Sequence, residues 1–359
     1  MTALVTGANG FMGSAVVRAL VADGQQVRAF VRPSADLRNL DGLDIEVVPG
    51  DFLDPDSIVA AMKGCRTLYH VGALVRFWLP PRQLGEFDRV NVHGTKNVLA
   101  AALRQGLEKV VYTSTIATIG SHGKDDPVTE EHIFNLWEMG MQYERSKYSA
   151  ELEAWRFGAR GLPLVMVLPC GPIGARDYRP NPLGKLLLDF YHRKVPGYME
   201  GGGNFIDVDD VATGHLLAAK RGKVGERYLL GNQNLSIVDF FRIVEEVSTV
   251  AAPRRKIPYA GALALARLLQ FVSDRITRRH PLLTPNLTKT ARVYYYADTT
   301  KARTELGFEP RYTVRDAVVK AFRWFTANGY IPEGKPRRRA LVENLERYIT
   351  SHPHCAVGS

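Results

Sequence analysis

"TGANGFMG", residues 6–13, stands almost at the start of the chain. The apolar run "ALVTG" (3–7) has the composition of a β-strand, and the amphipathic stretch "SAVVRALVADG" (14–24) follows. Glycines at 7, 10 and 13 permit a tight turn, a close approach of backbone N–H groups to a pyrophosphate, and close packing of helix on sheet. The helix N-terminus adds the positive end of its dipole. This strand–turn–helix context predicts a dinucleotide site.

Beyond this turn, the first part of the chain alternates β-rich runs with helical patterns. The candidate strands are 3–7, 26–31, 44–48, 67–71, 109–114 and 164–168. Continuous apolar strands separated by helices are typical of a parallel sheet covered on both faces. The predicted fold class is therefore α/β, a Rossmann doubly wound parallel sheet with a smaller C-terminal α/β substrate-binding part.

The domain organisation follows from where this alternation ends. We predict a dinucleotide-binding Rossmann domain at 1–175, with strand and helix contributions from 204–232, and a substrate-binding region at 176–330 interleaved with it. The remaining segment, 331–359, is a basic tail. Its run "KPRRRA" precedes a short amphipathic helix, "LVENLERYI", and its last eight residues are expected to be mobile.

Composition limits the class of protein. The chain has 359 residues, of which 45% are hydrophobic, and a net charge of +10. This charge favours polyanions or phosphorylated ligands, but no nucleic-acid recognition motif accompanies it, so no nucleic-acid partner is expected. Neither a signal peptide nor an apolar run of membrane-spanning length is found. Cys65, Cys170 and Cys355 lie far apart without metal-ligand spacing, which predicts a reduced, cytoplasmic protein without a metal site.

The end of the second strand indicates which dinucleotide is bound. An NAD enzyme usually carries an acidic residue there for the ribose 2′-hydroxyl, whereas this chain has Arg32, with Arg38 a few residues later. An arginine fork suits the 2′-phosphate of NADP(H), which we expect to be preferred over NAD(H). The alternative is two solvated loop arginines. Asp51, after the third strand, is either a contact of the adenine amino group or a turn residue.

The pair Tyr143 and Lys147 in "YERSK" indicates acid–base chemistry. Residues four apart on a helix share one face. A nearby cation brings the high pKa of a phenol toward the range of general acid–base catalysis. Ser114 and Thr115 follow the fifth strand, where a hydroxyl can hold a substrate oxygen beside the cofactor.

Several motifs occur in the order seen in one family: "TGANGFMG", "GDFLD", "NVHGTKNV", "VVYTSTIATIG", "YERSK", "FIDVDDVA" and "TTKARTELGFEP". Over residues 2–328 the chain resembles the extended short-chain dehydrogenases/reductases. Within them it is most similar to the branch of dihydroflavonol reductases, 3β-hydroxysteroid dehydrogenases and hopanoid-associated epimerases. The resemblance implies a Ser/Thr–Tyr–Lys catalytic set in which Thr115, preceded by Ser114, supplies the hydroxyl. It also implies that Asn91 supports the cofactor side, a helix cap being the alternative, and that the segment from Pro169 to Ile173 borders the nicotinamide.

Together the motifs and the resemblance assign the cofactor contacts to nineteen residues. These are Gly7, Asn9, Gly10, Phe11, Met12, Gly13, Arg32, Asp51, Phe52, Val71, Gly72, Ala73, Asn91, Thr113, Tyr143, Lys147, Pro169, Gly171 and Ile173.

Two departures from the nucleotide-sugar members of the family bear on the substrate. Those enzymes usually carry an asparagine after the sixth strand, where this chain has Pro169 and Cys170, and often a tyrosine before the position of Gly120. The loop "GALVRFWLPP" also offers Val75, Phe77, Trp78 and Leu79 as an apolar pocket mouth, although it could instead pack on the second part of the chain. We therefore expect a hydrophobic, steroid- or isoprenoid-like substrate.

A second apolar stretch, 259–276, has helical spacing and is followed by arginines. Its polar stripe is expected at Arg267, Gln270, Asp274 and Arg278, and its apolar face at Leu263, Leu265, Leu268, Leu269 and Val272. A basic amphipathic helix of this kind can lie on the inner face of an anionic membrane. Burial in the core or in a homodimer contact is the alternative.

The sequence thus predicts an NADP(H)-dependent oxidoreductase that interconverts a ketone and a secondary alcohol. A nucleotide-sugar epimerase or dehydratase using the same groups is the second hypothesis. A non-catalytic NADP sensor is the third, and the intact Tyr143–Lys147 pair argues against it.

Overall fold

The computed structural model describes residues 2–76, 79–139, 141–277, 281 and 283–356. Its strands are β1 (Thr2–Thr6), β2 (Gln26–Val31), β3 (Glu46–Pro49), β4 (Thr67–His70), β5 (Lys109–Thr113), β6 (Leu164–Pro169), β7 (Gly171–Ile173), β8 (Gly202–Asp207), β9 (Arg227–Leu230), β10 (Gln233–Ser236) and β11 (Tyr294–Tyr295). Its α-helices are α1 (Phe11–Ala22), α2 (Pro55–Met62), α3 (Gly85–Phe87), α4 (Thr95–Gln105), α5 (Gln142–Ala159), α6 (Pro182–Tyr191), α7 (Val208–Arg221), α8 (Ile237–Ser248), α9 (Tyr259–Val272), α10 (Pro285–Thr290), α11 (Val314–Ala327) and α12 (Pro336–Ser351).

The main sheet has seven strands in the order β3-β2-β1-β4-β5-β6-β9, all paired in parallel. The chain order reverses between β1 and β4, and in open α/β sheets ligands bind in the crevice at the carboxyl ends of the strands beside such a reversal. The predicted Rossmann-type sheet is confirmed. The largest boundary difference is at β3, which begins at Glu46 and not at Asp44.

Both faces of this sheet are buried, which explains its continuously apolar strands. Leu4 and Val5 are neighbours on β1, yet their side chains enter two different clusters of the core because successive strand residues face opposite sides. One cluster includes residues of α1 and α7, and the other includes residues of α4 and α5.

A smaller sheet forms the second part of the fold. In it β8 lies between β10, which is antiparallel to it, and β11, and β7 also pairs with β8. Helices α6, α8 and α11 contribute to a third buried cluster beside this sheet. The two parts interleave, because α7 and β9, within 204–232, return the chain to the main sheet, whereas β7 leaves it before residue 175.

The C-terminal segment is more ordered than the sequence predicts. Helix α12 begins at Pro336 and includes the basic run, and it buries Leu341 and Leu345. Beyond it, Cys355 is buried and its thiol donates to the Asp316 carboxylate at 2.9 Å. The expectation of mobility from residue 352 onward is therefore wrong as far as residue 356, because this buried contact holds the segment against α11.

Helix α9 presents a different face from the one predicted. It buries the small side chains of Ala262 and Ala266, while Leu265, Leu268 and Phe271 are 51%, 59% and 59% exposed. The predicted apolar face is therefore divided: Leu263, Leu269 and Val272 are half-buried, and Leu265 and Leu268 face outward. The predicted polar stripe is also divided, with Arg267 exposed, Gln270 and Asp274 half-buried, and Arg278 outside the described residues. No helix within the described ranges combines the length and the hydropathy needed to span a bilayer.

Candidate active site

The glycine turn lies at the carboxyl end of β1. Gly7 has a φ of 65°, and a Cβ on it would lie 2.5 Å from the Gly72 Cα. A Cβ on Gly13 would lie 2.0 Å from the Gly7 carbonyl oxygen, which accepts a hydrogen bond from the Gly10 N–H at 3.0 Å. Gly10 is the N-cap of α1 and brings no side chain to that end of the helix. Side chains are thus excluded from a turn at a helix N-terminus, and the residues fit a dinucleotide pyrophosphate.

Three further residues of the motif surround this turn. Phe11 and Met12 form the half-buried first turn of α1. The Asn9 amide donates to the Asp36 carbonyl and to the Tyr178 hydroxyl, both at 3.1 Å. Asn9 therefore connects the glycine turn to the loop after β2 and to the second part of the fold.

The two arginines after β2 have different surroundings. Arg32 is exposed, and its side chain has no ion pair or hydrogen bond with any residue that the structure describes. Arg38 pairs with Asp36 at 2.8 Å, and its guanidinium lies 5.5 Å from the centre of the Tyr178 ring. Arg32 is thus the available cation beside the turn, whereas Arg38 already has a carboxylate partner.

The segment after β3 packs closely on the loop after β4. The Asp51 carboxylate accepts a hydrogen bond from the Leu53 N–H at 2.9 Å, which closes a local turn. The Phe52 ring packs against Gly72, and a Cβ at position 72 would lie 2.3 Å from the Cζ of Phe52. The stretch from Val71 to Ala73 is therefore held between Phe52 and the glycine turn.

The hydroxyl groups after β5 divide between two sides of the strand end. Thr115 has extended backbone angles, and its hydroxyl accepts a hydrogen bond from the Ala117 N–H at 3.3 Å and lies close enough to Tyr143 to lower the pKa of that phenol. The Ser114 hydroxyl instead donates to the buried Glu151 carboxylate, which also accepts from Thr118 at 2.6 Å and from Arg227 at 2.8 Å. Of the two predicted hydroxyls, Thr115 is the one placed beside Tyr143.

The surroundings of Tyr143 favour its protonated form. Burial raises the pKa of this phenol above its ordinary value, the neighbouring Glu144 carboxylate raises it further, and the hydrogen bond with Thr115 lowers it. Tyr143 is consequently a phenol at neutral pH and can donate a proton.

Lys147 lies one helical turn after Tyr143 and points toward β5. Its ammonium donates to the Thr113 carbonyl at 2.8 Å and to the Tyr112 hydroxyl at 3.3 Å. Burial lowers the pKa of Lys147 to about 8, and Glu151 opposes this shift. The Thr113 side chain is engaged elsewhere, since its hydroxyl lies 2.9 Å from His215 Nε2.

Asn91 connects the loop after β4 to the catalytic helix. Its side chain accepts from the Leu74 N–H at 2.7 Å and donates to the Leu74 carbonyl at 3.1 Å and to the Ser146 hydroxyl at 3.0 Å. Ser146 in turn donates to the Tyr143 carbonyl at 2.8 Å. Asn91 therefore positions α5 relative to this loop, and these contacts are not those of the alternative helix cap.

The segment predicted to border the nicotinamide lies where the chain leaves the main sheet and enters the small sheet. Pro169 ends β6 in the main sheet, and Gly171 and Ile173 bound β7 in the small sheet. A Cβ on Gly171 would be 3.1 Å from the Asn204 carbonyl oxygen of β8, so this passage is tightly packed.

A cavity of about 170 Å³ adjoins Tyr143. Its apolar lining is Leu79, Pro81, Leu84 and Phe87, and its polar lining is Arg76, Gln142, Tyr143, Glu144, Gln270, Thr284 and Asn286. Of the predicted apolar mouth, Leu79 lines this cavity, Val75 is exposed, and Phe77 and Trp78 lie outside the described residues. Gln270 and Asn286 are not predicted as site residues, because they meet Tyr143 only through the tertiary fold, and Glu144 stands in the "YERSK" motif, which by itself indicates only Tyr143 and Lys147.

Comparisons with known proteins agree with this architecture. The model of the NAD dependent epimerase/dehydratase family matches residues 3–231, which include the glycine turn and the Tyr143–Lys147 pair. A Synechocystis sp. protein provisionally named dihydroflavonol 4-reductase is 38% identical over 331 residues, 91% of this chain and 95% of that protein. Sterol demethylase protein B of Methylococcus capsulatus is 35% identical over 333 residues, 92% of this chain and 100% of that protein. The crystal structure of gox2253 superposes with a TM-score of 0.80 and 38% identity, covering 92% of this chain and 99% of that one.

Proposed function

Because the chain belongs to the NAD dependent epimerase/dehydratase family and is an oxidoreductase of the extended short-chain dehydrogenase/reductase type, we propose that it interconverts a ketone and a secondary alcohol on a hydrophobic small molecule with NADP(H). The observation that carries this proposal is the position of Tyr143 on the wall of a cavity, with the Thr115 hydroxyl beside it. A hydroxyl that can hold a carbonyl oxygen and a phenol that can protonate it are thus adjacent.

The residues of this chain have distinct roles in the reduction. Residues of the glycine turn would hold the dinucleotide, which supplies a hydride for the carbonyl carbon when it is bound. Thr115 donates a hydrogen bond to the carbonyl oxygen, and Tyr143 gives that oxygen its proton, so that the ketone becomes a secondary alcohol. Lys147, one helical turn after Tyr143, would contact the cofactor ribose, and its positive charge would favour the tyrosinate until solvent returns a proton.

Arg32 supports the preference for NADP(H). It is an exposed cation with no carboxylate partner in the described part of the chain, at the end of β2 where a 2′-phosphate would lie. A guanidinium forms strong charge-assisted hydrogen bonds with phosphate oxygens.

The lining of the cavity supports a hydrophobic ketone as substrate. Leu79, Leu84 and Phe87 give one wall an apolar surface close to Tyr143. The volume of about 170 Å³ is below the range of roughly 300–1,000 Å³ that is typical of small-molecule pockets, so a polycyclic body would extend through the mouth. A relative named sterol demethylase protein B is consistent with a substrate of this class.

We further propose that the protein works in the cytoplasm at the inner face of an anionic membrane. The outward ridge of α9, defined by Leu265, Leu268 and Phe271, supports this, since each side chain is more than half exposed. Arg254, Arg255, Lys256, Arg267 and Arg275 are exposed in the same segment, and Asp274 is the acidic residue among 254–277. Apolar side chains beside cations suit the boundary of an anionic bilayer. Gln270 of the same helix lines the cavity, so docking would bring the membrane near the substrate entrance.

The proposed function is tested by supplying the purified protein with NADPH and a saturated steroid ketone, or with the oxidised cofactor and a nucleotide sugar. Loss of NADPH absorbance and formation of the alcohol are expected with the steroid ketone alone. Turnover of the nucleotide sugar alone would instead establish the epimerase or dehydratase hypothesis. Cofactor binding without turnover of either compound would favour the sensor.

A further inference from the structure

Glu144 is a buried acid in the cavity of Tyr143. It follows Tyr143 in the first turn of α5, is 4% exposed, and lines the same cavity. Its carboxylate forms no ion pair, and no hydrogen bond with another residue, anywhere in the described ranges. Its own backbone N–H is the group that stabilises its charge, and burial raises the pKa of Glu144 to about 7.

Other buried carboxylates of this protein have partners, so the isolation of Glu144 is unusual within the fold. Glu151 binds Arg227 and Thr118, and Asp207 pairs with Lys320 at 2.7 Å. Asp210 accepts from two backbone N–H groups, those of Arg311 and Tyr312, each at 3.0 Å. A buried polar group without a partner costs roughly 1–3 kcal/mol, which makes Glu144 a candidate for binding a ligand.

The position of Glu144 makes it accessible to a ligand. Glu144 lines the cavity together with Tyr143, so a molecule that brings a carbonyl to Tyr143 also meets this carboxyl group. The Tyr295 hydroxyl is another buried group without a hydrogen-bond partner among the described residues, but Tyr295 is not part of the cavity lining. Glu144 is therefore the group that a ligand in the cavity can reach.

We propose that Glu144 forms a polar subsite that binds a second, neutral oxygen function of the substrate, foremost a hydroxyl, beside the ketone that Tyr143 protonates. This inference rests on the proposed function and narrows it to hydroxy ketones. A hydroxyl can donate a hydrogen bond to the Glu144 carboxyl group. A substrate carboxylate fits less well, because Glu144 would repel it once ionised and the cation lining the described cavity, Arg76, is exposed.

Binding to the NADP⁺-saturated protein tests the subsite separately from turnover. The probes are a saturated steroid ketone and derivatives that each carry one hydroxyl at a different distance from the carbonyl. Calorimetry should show at least one derivative binding roughly tenfold more tightly than the parent. In Glu144→Gln this ratio should fall toward one. The replacement nearly conserves shape, and thermal unfolding verifies that the variant is folded.

Glu153→Gln is the matched control, because Glu153 lies on the same helix but pairs with Arg156 at the surface. It should retain the wild-type ratio. A ratio in Glu144→Gln equal to that of the wild type, or no derivative favoured over the parent, would overturn the subsite while turnover of the parent ketone still upholds the proposed function. Absence of binding by every steroid would overturn both.

Discussion

The Thr115 hydroxyl lies beside Tyr143 and lowers the pKa of its phenol, whereas the adjacent Ser114 hydroxyl donates to the Glu151 carboxylate inside the core. Successive residues of an extended segment face opposite sides, so one hydroxyl of the pair faces Tyr143 and the other faces the core. Thr115 is thus assigned to the reaction and Ser114 to the stability of the core, two roles that the sequence alone does not separate.

The first prediction follows from that division. Thr115→Val should lower kcat by roughly 10²-fold, because the group that holds the substrate oxygen is lost while the volume is kept. Ser114→Ala should mainly lower the free energy of unfolding, since it leaves a buried carboxylate oxygen with one donor fewer. Steady-state kinetics and urea unfolding of both variants measure the two effects. An interchange of the two phenotypes would assign catalysis to Ser114.

Cofactor preference should depend on Arg32. Arg32→Ala should weaken NADPH binding roughly 10–100-fold and leave NADH binding nearly unchanged, because only the 2′-phosphate contact is lost. Arg38→Ala should have a smaller effect, since Asp36 already holds that guanidinium. Fluorescence titration measures the dissociation constants, with Arg66→Ala as the control because Arg66 is exposed and pairs with Glu108. Unchanged NADPH binding in Arg32→Ala would contradict the assignment.

Glu144 should make stability depend on pH in a defined window. Its pKa is higher in the folded protein, about 7 against 4.5, so its contribution to stability is fully present below pH 4.5 and is lost as the pH rises through 7. Glu144→Gln removes this dependence. The variant should therefore be more stable relative to the wild type at pH 8 than at pH 5, which means that the free energy of unfolding of the variant minus that of the wild type is larger at pH 8. Urea unfolding at the two pH values gives the difference, and equal differences would mean that Glu144 ionises normally.

Membrane docking should require the ridge of α9. Wild-type protein should float with vesicles containing anionic lipid at low salt and less at high salt, since each arginine near such a surface contributes about 1 kcal/mol. The double variant Leu268→Asp and Phe271→Asp should lose this binding. Val224→Asp is the control, because Val224 is 57% exposed and lies in the turn between α7 and β9, not on α9. Flotation unaffected by the double variant would contradict the proposal, and a dimer dissociated by it would assign the ridge to a second copy.

The elements that the sequence predicts well are those with local physical signatures. The glycine turn, the parallel strands and the placement of Tyr143 and Lys147 on one helix all follow from spacing and side-chain type. The buried face of α9 could not be predicted, because it consists of the small residues Ala262 and Ala266, and hydrophobicity alone does not reveal that small side chains let a helix pack closely. The cavity that Glu144 lines is likewise formed only by the tertiary fold, and the order beyond residue 352 depends on a contact between Cys355 and Asp316.

The central claim, ketone reduction with Tyr143 as the proton donor, is tested most directly by single-turnover oxidation of bound NADPH with a steroid ketone in wild type and Tyr143→Phe. The account predicts unchanged NADPH affinity in the variant and a rate of alcohol formation lowered by roughly 10²–10⁴-fold. A Tyr143→Phe protein that retains more than about a tenth of the wild-type rate would contradict it, since the loss of a general acid lowers a rate by at least about 10²-fold.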